Sequence, residues 1–194
     1  MFNLSKLLNC EVILASQSPR RKELLSVIFD KFKIVPAKGD EIIDEKISAQ
    51  LIPQSLAYEK CREVALLYPD CLVIGCDTSV ILNNEIMGKP KDKDDAYRML
   101  RHLSGNTHQV VSGTVIYYKG QYYSFSCETD VTFRELSDED ICAYIMTGEP
   151  FDKAGAYGIQ GKGSLLAEKI NGDYFNVVGL PVSELASKLK KILS

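Results

Sequence analysis

The sequence predicts an α/β fold on a mixed sheet, with two lobes around a cleft. Early in the chain, short apolar runs alternate with amphipathic segments of helical period. Later, β-rich stretches are joined by two-residue turns, which favours hairpins and an antiparallel portion. No repeat, low-complexity tract or long linker divides the 194 residues, so the lobes belong to a single domain spanning residues 1–194.

The elements follow in order. Val12–Ala15 is apolar and reads as a short buried strand. Ser16-Gln17-Ser18 is a polar turn, and Pro19 opens an amphipathic helix with Leu24, Leu25 and Ile28 on one face. Ser18 suits the N-cap, and Pro19 the first helical position, where its missing N–H would be unpaired anyway. Phe32–Val35 reads as a second strand, and Ala37–Glu45 as a polar, acidic loop. Pro53–Leu67 has helical period, with Leu56, Val64 and Leu67 on the apolar stripe. Leu72–Ile74 is a continuous apolar run of the kind buried on both faces; it ends in Gly75-Cys76-Asp77-Thr78.

Asn83-Asn84 predicts a tight turn between Val80–Leu82 and Glu85–Met87. Asp92–Leu103 is a helix that stops at Ser104-Gly105. Gln109–Tyr118 and Gln121–Phe133 form a long hairpin turning at Lys119-Gly120. Its Tyr117, Tyr118, Tyr122, Tyr123 and Phe125 are assigned to packing or to the face of a homodimer. Ser137 caps a helix to Thr147 whose first turn is acidic. Asp152–Gly163 is glycine-rich and lets backbone approach a ligand closely. Ser164–Ile170 and Tyr174–Val178 read as a hairpin about Asn171-Gly172, and a last helix starts at Gly179-Leu180-Pro181 and runs to Ile192.

Apolar content of 45% supports a sizeable core, and the net charge of −3 argues against a partner bound through many phosphates, nucleic acid above all. Cys10, Cys61, Cys71, Cys76, Cys127 and Cys142 show neither CxxC pairing nor zinc spacing, and several lie in apolar runs; reduced thiols of a cytoplasmic protein are expected. No apolar run spans a bilayer, and Met1–Asn9 is too weakly apolar for a signal peptide.

Several residues have two readings. Arg20 and Arg21 stand in the first turn of a helix, where the dipole disfavours cations. They are either incidental surface residues or, with Ser16 and the free N–H groups, an anion site suited to phosphate. Lys60 lies beside the apolar stripe and either snorkels to water or points into a cleft. Asp77 follows a buried strand, where ligand crevices open in α/β sheets; it caps a turn, holds a divalent cation or takes a proton from water. Lys89 sits on constrained backbone between Gly88 and Pro90 and reaches a phosphate as a point charge, or is unremarkable. His102 and His108 have no metal spacing and are assigned structural roles.

Four motifs in order make the chain similar to Maf-type nucleoside triphosphate pyrophosphatases from about Val12 to Leu189. They are LASQSPRRKELL (Leu14–Leu25); GCDT (Gly75–Thr78) with GKP (Gly88–Pro90); LSGNTHQV (Leu103–Val110); and DKAGAYGIQG (Asp152–Gly161) with GDYFNVVGLP (Gly172–Pro181). The resemblance implies an inosine triphosphate pyrophosphatase-like fold, with a nucleotide cleft between lobes. It also implies hydrolysis of a nucleoside triphosphate to monophosphate and pyrophosphate with Mg²⁺ or Mn²⁺.

Thr78 and Gln160 resemble the branch acting on dTTP and UTP, and weigh against the 7-methyl-GTP branch. A substrate tail is then expected on Ser16, Arg20, Arg21, Lys60 and Lys89, the base near Thr78 and Gln160, and the metal on Glu41 and Asp77. Asp77 is the expected catalytic group. Arg20 is expected to be the more specific of the two arginines, being nearer the Ser16–Ser18 turn. Cys76 and Ser112 depart from the usual Ala and Thr, and neither is expected to touch a residue assigned to chemistry. The alternative from another class is a nucleotide-binding regulator of cell division with little turnover.

Overall fold

The computed structural model describes residues 4, 8–43 and 46–194. Asp44 and Glu45 of the predicted acidic loop, and most of Met1–Asn9, lie outside the described residues. The chain runs β1 (Val12–Leu14), α1 (Pro19–Leu25), β2 (Lys33–Ile34), α2 (Ile52–Leu67), β3 (Leu72–Leu82), β4 (Glu85–Met87), α3 (Lys93–Leu103), β5 (Thr107–Tyr118), β6 (Gln121–Phe133), α4 (Asp138–Met146), β7 (Ala167–Asn171), α5 (Tyr174–Val178) and α6 (Val182–Leu193). The strands form one seven-stranded mixed sheet in the order β2-β1-β3-β5-β6-β7, with β4 also on β3. β1 is parallel to β2 and β3, and every other pairing is antiparallel.

Local chemistry explains several elements. Asn83 and Asn84 have φ of 52° and 65°, and Lys119 and Gly120 of 49° and 81°, the left-handed pairs that match strand twist in two-residue hairpins. Ser137 accepts from Asp140 N while the Asp140 side chain returns to Ser137 N, a reciprocal cap that starts α4. The aromatic hairpin is used largely for packing. Tyr117 and Phe125 are buried, and the Tyr122 ring lies 5.2 Å from Tyr58 and 5.0 Å from Tyr117.

Side chains alternate faces along a strand, so β3 sorts its neighbours by parity. Leu72, Ile74 and Cys76 enter a core with Leu24, Leu25 and Leu185. Val80 and Leu82 enter a second core, with Leu100, Leu103 and Ile141. All five share one face, and Thr78, of the same parity, falls between the two cores. Val73 faces the other way, into a cluster with Ala57, Cys61 and Val64 of α2. Asp77 shares that parity and so faces α2.

The expected place of Asp77, at the end of a strand, is corrected. The ladder with β5 runs unbroken from Val73 to Ile81, pairing Asp77 with Gly113. Pairing with β1, however, stops at Leu14↔Ile74, and pairing with β4 starts only at Val80↔Met87. Gly75–Ser79 therefore has an open side within the sheet, and the crevice lies beyond the carboxyl end of β1.

Two glycines bring α2 down onto this region. A Cβ on Gly75 would lie 2.5 Å from Ala57 O and 2.7 Å from Cys61 Cβ; one on Gly113 would lie 2.3 Å from Gln54 Cα.

The hairpin expected about Asn171-Gly172 is also corrected. β7 pairs with β6, but Tyr174–Val178 is a helix. Asp173 caps it by accepting from Phe175 N at 2.8 Å. The buried Asn176 amide donates to Val110 O at 2.9 Å and Thr129 Oγ1 at 3.0 Å, which draws the segment across the sheet. The last helix begins at Val182, after the turn at Gly179.

Candidate functional site

Around the open stretch of β3 lies a cleft of about 710 Å³, and all nine residues singled out from the sequence line it. They reach it from six segments. The turn after β1 and the start of α1 bring Ser16, Arg20 and Arg21; the loop before α2 brings Glu41. Lys60 comes from α2, Asp77 and Thr78 from β3, and Lys89 and Gln160 from the loops after β4 and α4.

On the α2 side, Lys60 Nζ lies 2.5 Å from Asp77 Oδ1 and 2.8 Å from Glu41 Oε1. The close helix–sheet contact over Gly75 and Gly113 makes the first distance possible. The hydrogen bond from Lys60 holds the Glu41 carboxyl below the usual glutamate range, and Lys89 and Arg21 add to it through space. Of the two readings of Lys60, the cleft-facing one holds. Glu41 is delivered by a loop that Glu63 pins, accepting from Lys38 N at 2.8 Å and Gly39 N at 3.0 Å. These two backbone bonds lower the Glu63 pKa.

On the opposite face Arg21 is tied at three atoms. Nε donates to Gly179 O at 3.0 Å, Nη1 to Ser16 Oγ at 3.3 Å and Nη2 to Thr78 Oγ1 at 3.2 Å. Arg20 points elsewhere: its Nη1 meets Asp152 Oδ2 at 2.9 Å, across the cleft rim. Adjacent helical positions diverge by about 100°, which separates the two guanidinium groups. The reason for preferring Arg20 is thus corrected, because Arg21 is the arginine that bonds the Ser16 turn.

The expectation for Ser112 is corrected as well. Ser112 Oγ lies 2.8 Å from Thr78 Oγ1 and donates to Asn176 O at 3.3 Å. Cys76 Sγ lies 3.4 Å from Gly179 O, the same carbonyl that holds Arg21.

Lys89 makes no ion pair with the described residues, and no side-chain hydrogen bond from the described chain engages Gln160. Gly155 N donates to Gly88 O at 3.0 Å, which joins the glycine-rich loop to the backbone beside Lys89. Asp152 is a cleft residue that sequence reasoning missed. Burial raises its pKa, but hydrogen bonds from Lys153 and Arg20 outweigh this and the net shift is downward.

Neither histidine lines the cleft. His108 is buried, its Nε2 lies 2.7 Å from Tyr157 Oη, and burial pulls its pKa down to about 4, so the ring is neutral.

The site therefore presents several cations toward one space, with Asp77 and Glu41 beside them. Such a set binds a polyanion and also offers a carboxylate to a water or a cation.

Known proteins resemble this chain in sequence and in fold. The family model described as Maf-like protein matches residues 11–192. A protein of Bacillus velezensis named dTTP/UTP pyrophosphatase is 47% identical over 180 residues, 93% of this chain and 95% of its own. A protein of the same name from Thermosipho africanus is 49% identical over 175 residues, 90% of each chain. Among solved structures, a HAM1 protein from Coxiella burnetii is similar in fold, with a TM-score of 0.51 at 14% identity, over 94% of this chain and 99% of that one. A family match over residues 11–192, nearly the whole length, shows that this chain belongs to the Maf-like protein family.

Proposed function

We propose that the protein is a nucleoside triphosphate pyrophosphatase that hydrolyses dTTP and UTP to the monophosphate and pyrophosphate, and that it also clears non-standard pyrimidine triphosphates. The observation that carries this is Lys60 held between Asp77 and Glu41 in a cleft that also holds Arg20, Arg21 and Lys89. Binding a triphosphate needs cations, and two carboxylates beside the phosphates oppose it unless they serve a metal ion or the reacting water. Carboxylates there serve bond cleavage. The relatives named dTTP/UTP pyrophosphatase support the same substrate class.

In this reading Lys89 and Arg20 meet the phosphate tail, and Lys60 neutralises charge as pyrophosphate departs. Arg20 reaches substrate by exchanging Asp152 for phosphate oxygens, a stronger partner for a guanidinium. Arg21 fixes Ser16, Thr78 and the Gly179 turn in one frame. Asp77 accepts the proton of the attacking water. Gln160 has its amide free to pair with the imide edge of thymine or uracil.

Glu41 and Asp77 are an all-oxygen set that suits Mg²⁺ or Mn²⁺, with phosphate and water completing the ligands. Such an ion would lower the pKa of a bound water and screen the phosphates. The protein is also read as cytosolic and without a nucleic-acid partner, supported by six unpaired cysteines and a net charge of −3. Among the described residues no helix is long and apolar enough to cross a membrane.

The test is a panel of triphosphates, including dTTP, UTP, dCTP and 7-methyl-GTP, incubated with Mn²⁺ and separated by product. Pyrophosphate and monophosphate from dTTP and UTP are expected. Saturable dTTP binding without pyrophosphate would favour a nucleotide-binding regulator, and preference for 7-methyl-GTP would overturn the substrate assignment.

A further inference from the structure

The glycine-rich loop is held from behind by α4 and the turn that follows it. Gly158 N donates to Tyr144 Oη at 3.2 Å, near one end of the loop tip. At the other end, Lys162 N donates to Glu149 Oε1 at 3.1 Å and Gly163 N to Glu149 Oε2 at 3.3 Å. The two anchors are close in the chain, Tyr144 in α4 and Glu149 in the turn just after it. There is no slack between them. A Cβ on Gly163 would lie 2.0 Å from Gly158 O, and one on Gly161, at φ 63°, would lie 2.9 Å from Glu149 Oε1. Gln160 stands at the tip of this closed loop, on the cleft wall.

We propose that Tyr144 and Glu149 are positioning residues for substrate selection: together they clamp the 158–163 loop so that the Gln160 amide is presented to the base at a fixed place. This rests on the pyrimidine triphosphate reading above. The clamp fixes the backbone from which the Gln160 side chain reaches, and with it the distance from the amide to the base. A loop that moves loses that reach, and a site built for such a bond rejects a ligand that cannot make it. Neither residue touches the cleft, so neither contacts substrate.

The experiment compares Tyr144→Phe, Glu149→Gln, Gln160→Ala and the double variant Glu149→Gln/Gln160→Ala with the parent protein. kcat and KM are measured for dTTP and dCTP, and Kd for the non-cleavable α,β-imido analogues of both. In each single clamp variant the preference for dTTP is expected to fall about 10-fold or more, mainly through KM. The double variant is expected to lose no more than Gln160→Ala alone, because both act through one side chain. An unchanged preference, additive losses in the double variant, or an equal loss for both nucleotides with a lowered melting temperature would overturn the clamp. The analogues keep the two questions apart. A parent protein that prefers the dTTP analogue but releases no pyrophosphate refutes the hydrolase reading, and the clamp is then judged on Kd ratios. A parent protein with no preference between the analogues overturns the clamp.

Discussion

Lys60 Nζ bridges Asp77 Oδ1 at 2.5 Å and Glu41 Oε1 at 2.8 Å, so one ammonium on a helix joins a carboxylate from mid-strand to one from a loop. Asp77 and Lys60 are mostly shielded, at 13% and 18% side-chain exposure, whereas Glu41 is 58% exposed. The Asp77 bond is the stronger constraint, and Glu41 is the partner free to move when a ligand enters.

Asp77→Asn keeps the shape of the side chain and removes its basicity. Pyrophosphate release from dTTP is expected to fall about 100-fold or more, the usual size of a lost proton acceptor. The melting temperature should move by only a few degrees, because asparagine still accepts from Lys60. Near-parental turnover in a quantitative pyrophosphate assay would remove Asp77 from the chemistry.

Gly75→Ala tests whether helix contact sets the site. The new methyl meets Ala57 O and Cys61 Cβ well inside van der Waals range, so α2 must shift outward. Overpacking of this kind costs about 1–3 kcal/mol. Urea denaturation should show that loss together with a fall in kcat, since Lys60 moves with the helix. A stability loss with unchanged kcat would separate the helix contact from the site.

Arg21→Lys and Arg20→Lys should differ in kind. Lysine cannot reach Gly179 O, Ser16 and Thr78 together, and bonds made by a charged group contribute about 1.5–3 kcal/mol each. Arg21→Lys should therefore lower the melting temperature and turnover together. Arg20→Lys should leave melting near that of the parent and raise KM for dTTP. Matching effects of the two substitutions in paired thermal and kinetic measurements would contradict the geometry.

His108 gives a pH signature for stability. Burial depresses its folded pKa from the ordinary value to about 4, so protonation opposes folding. The sign follows: its contribution is complete above about pH 6.5 and is lost as pH falls toward 4, by about 3 kcal/mol in all. Unfolding measured between pH 7 and 4 should show this loss in the parent. His108→Gln should be less stable at pH 7, having disturbed the Tyr157 contact, yet flatter across that window.

Much of this architecture was legible because its causes are local. Asn83-Asn84, Lys119-Gly120 and Ser137 with Asp140 each fix their own turn or cap within a few residues. Ser16, Arg20, Arg21, Lys89 and Gln160 were legible as cleft residues because they stand in turns, loops and at a helix start, where side chains reach a ligand. What was not legible depends on partners distant in the chain. Asp77 lies in mid-strand because β1 stops short while β5 continues, and no single segment encodes that difference. Tyr174–Val178 follows a good hairpin turn but is helical, since Asn176 is bonded to Val110 and Thr129. Glu63 and Glu149 accept from backbone N–H groups 13 to 25 residues away, a use of carboxylate that leaves no spacing in the sequence.

The open side of β3 has a consequence for the order in which the molecule assembles. β5 and β6 meet through a two-residue turn and zip outward from Tyr118↔Gln121, so their pairing closes short loops. β1 must find β3 across the gap from Val12 to Leu72, and Arg21 finds Gly179 across 158 residues. Contacts so far apart in the chain pay their loop entropy late in folding. The cleft is bounded by these late contacts and comes into being only with the last of them. A nascent or partly unfolded chain thus has no nucleotide site to offer, and nucleotide binding reports completed folding.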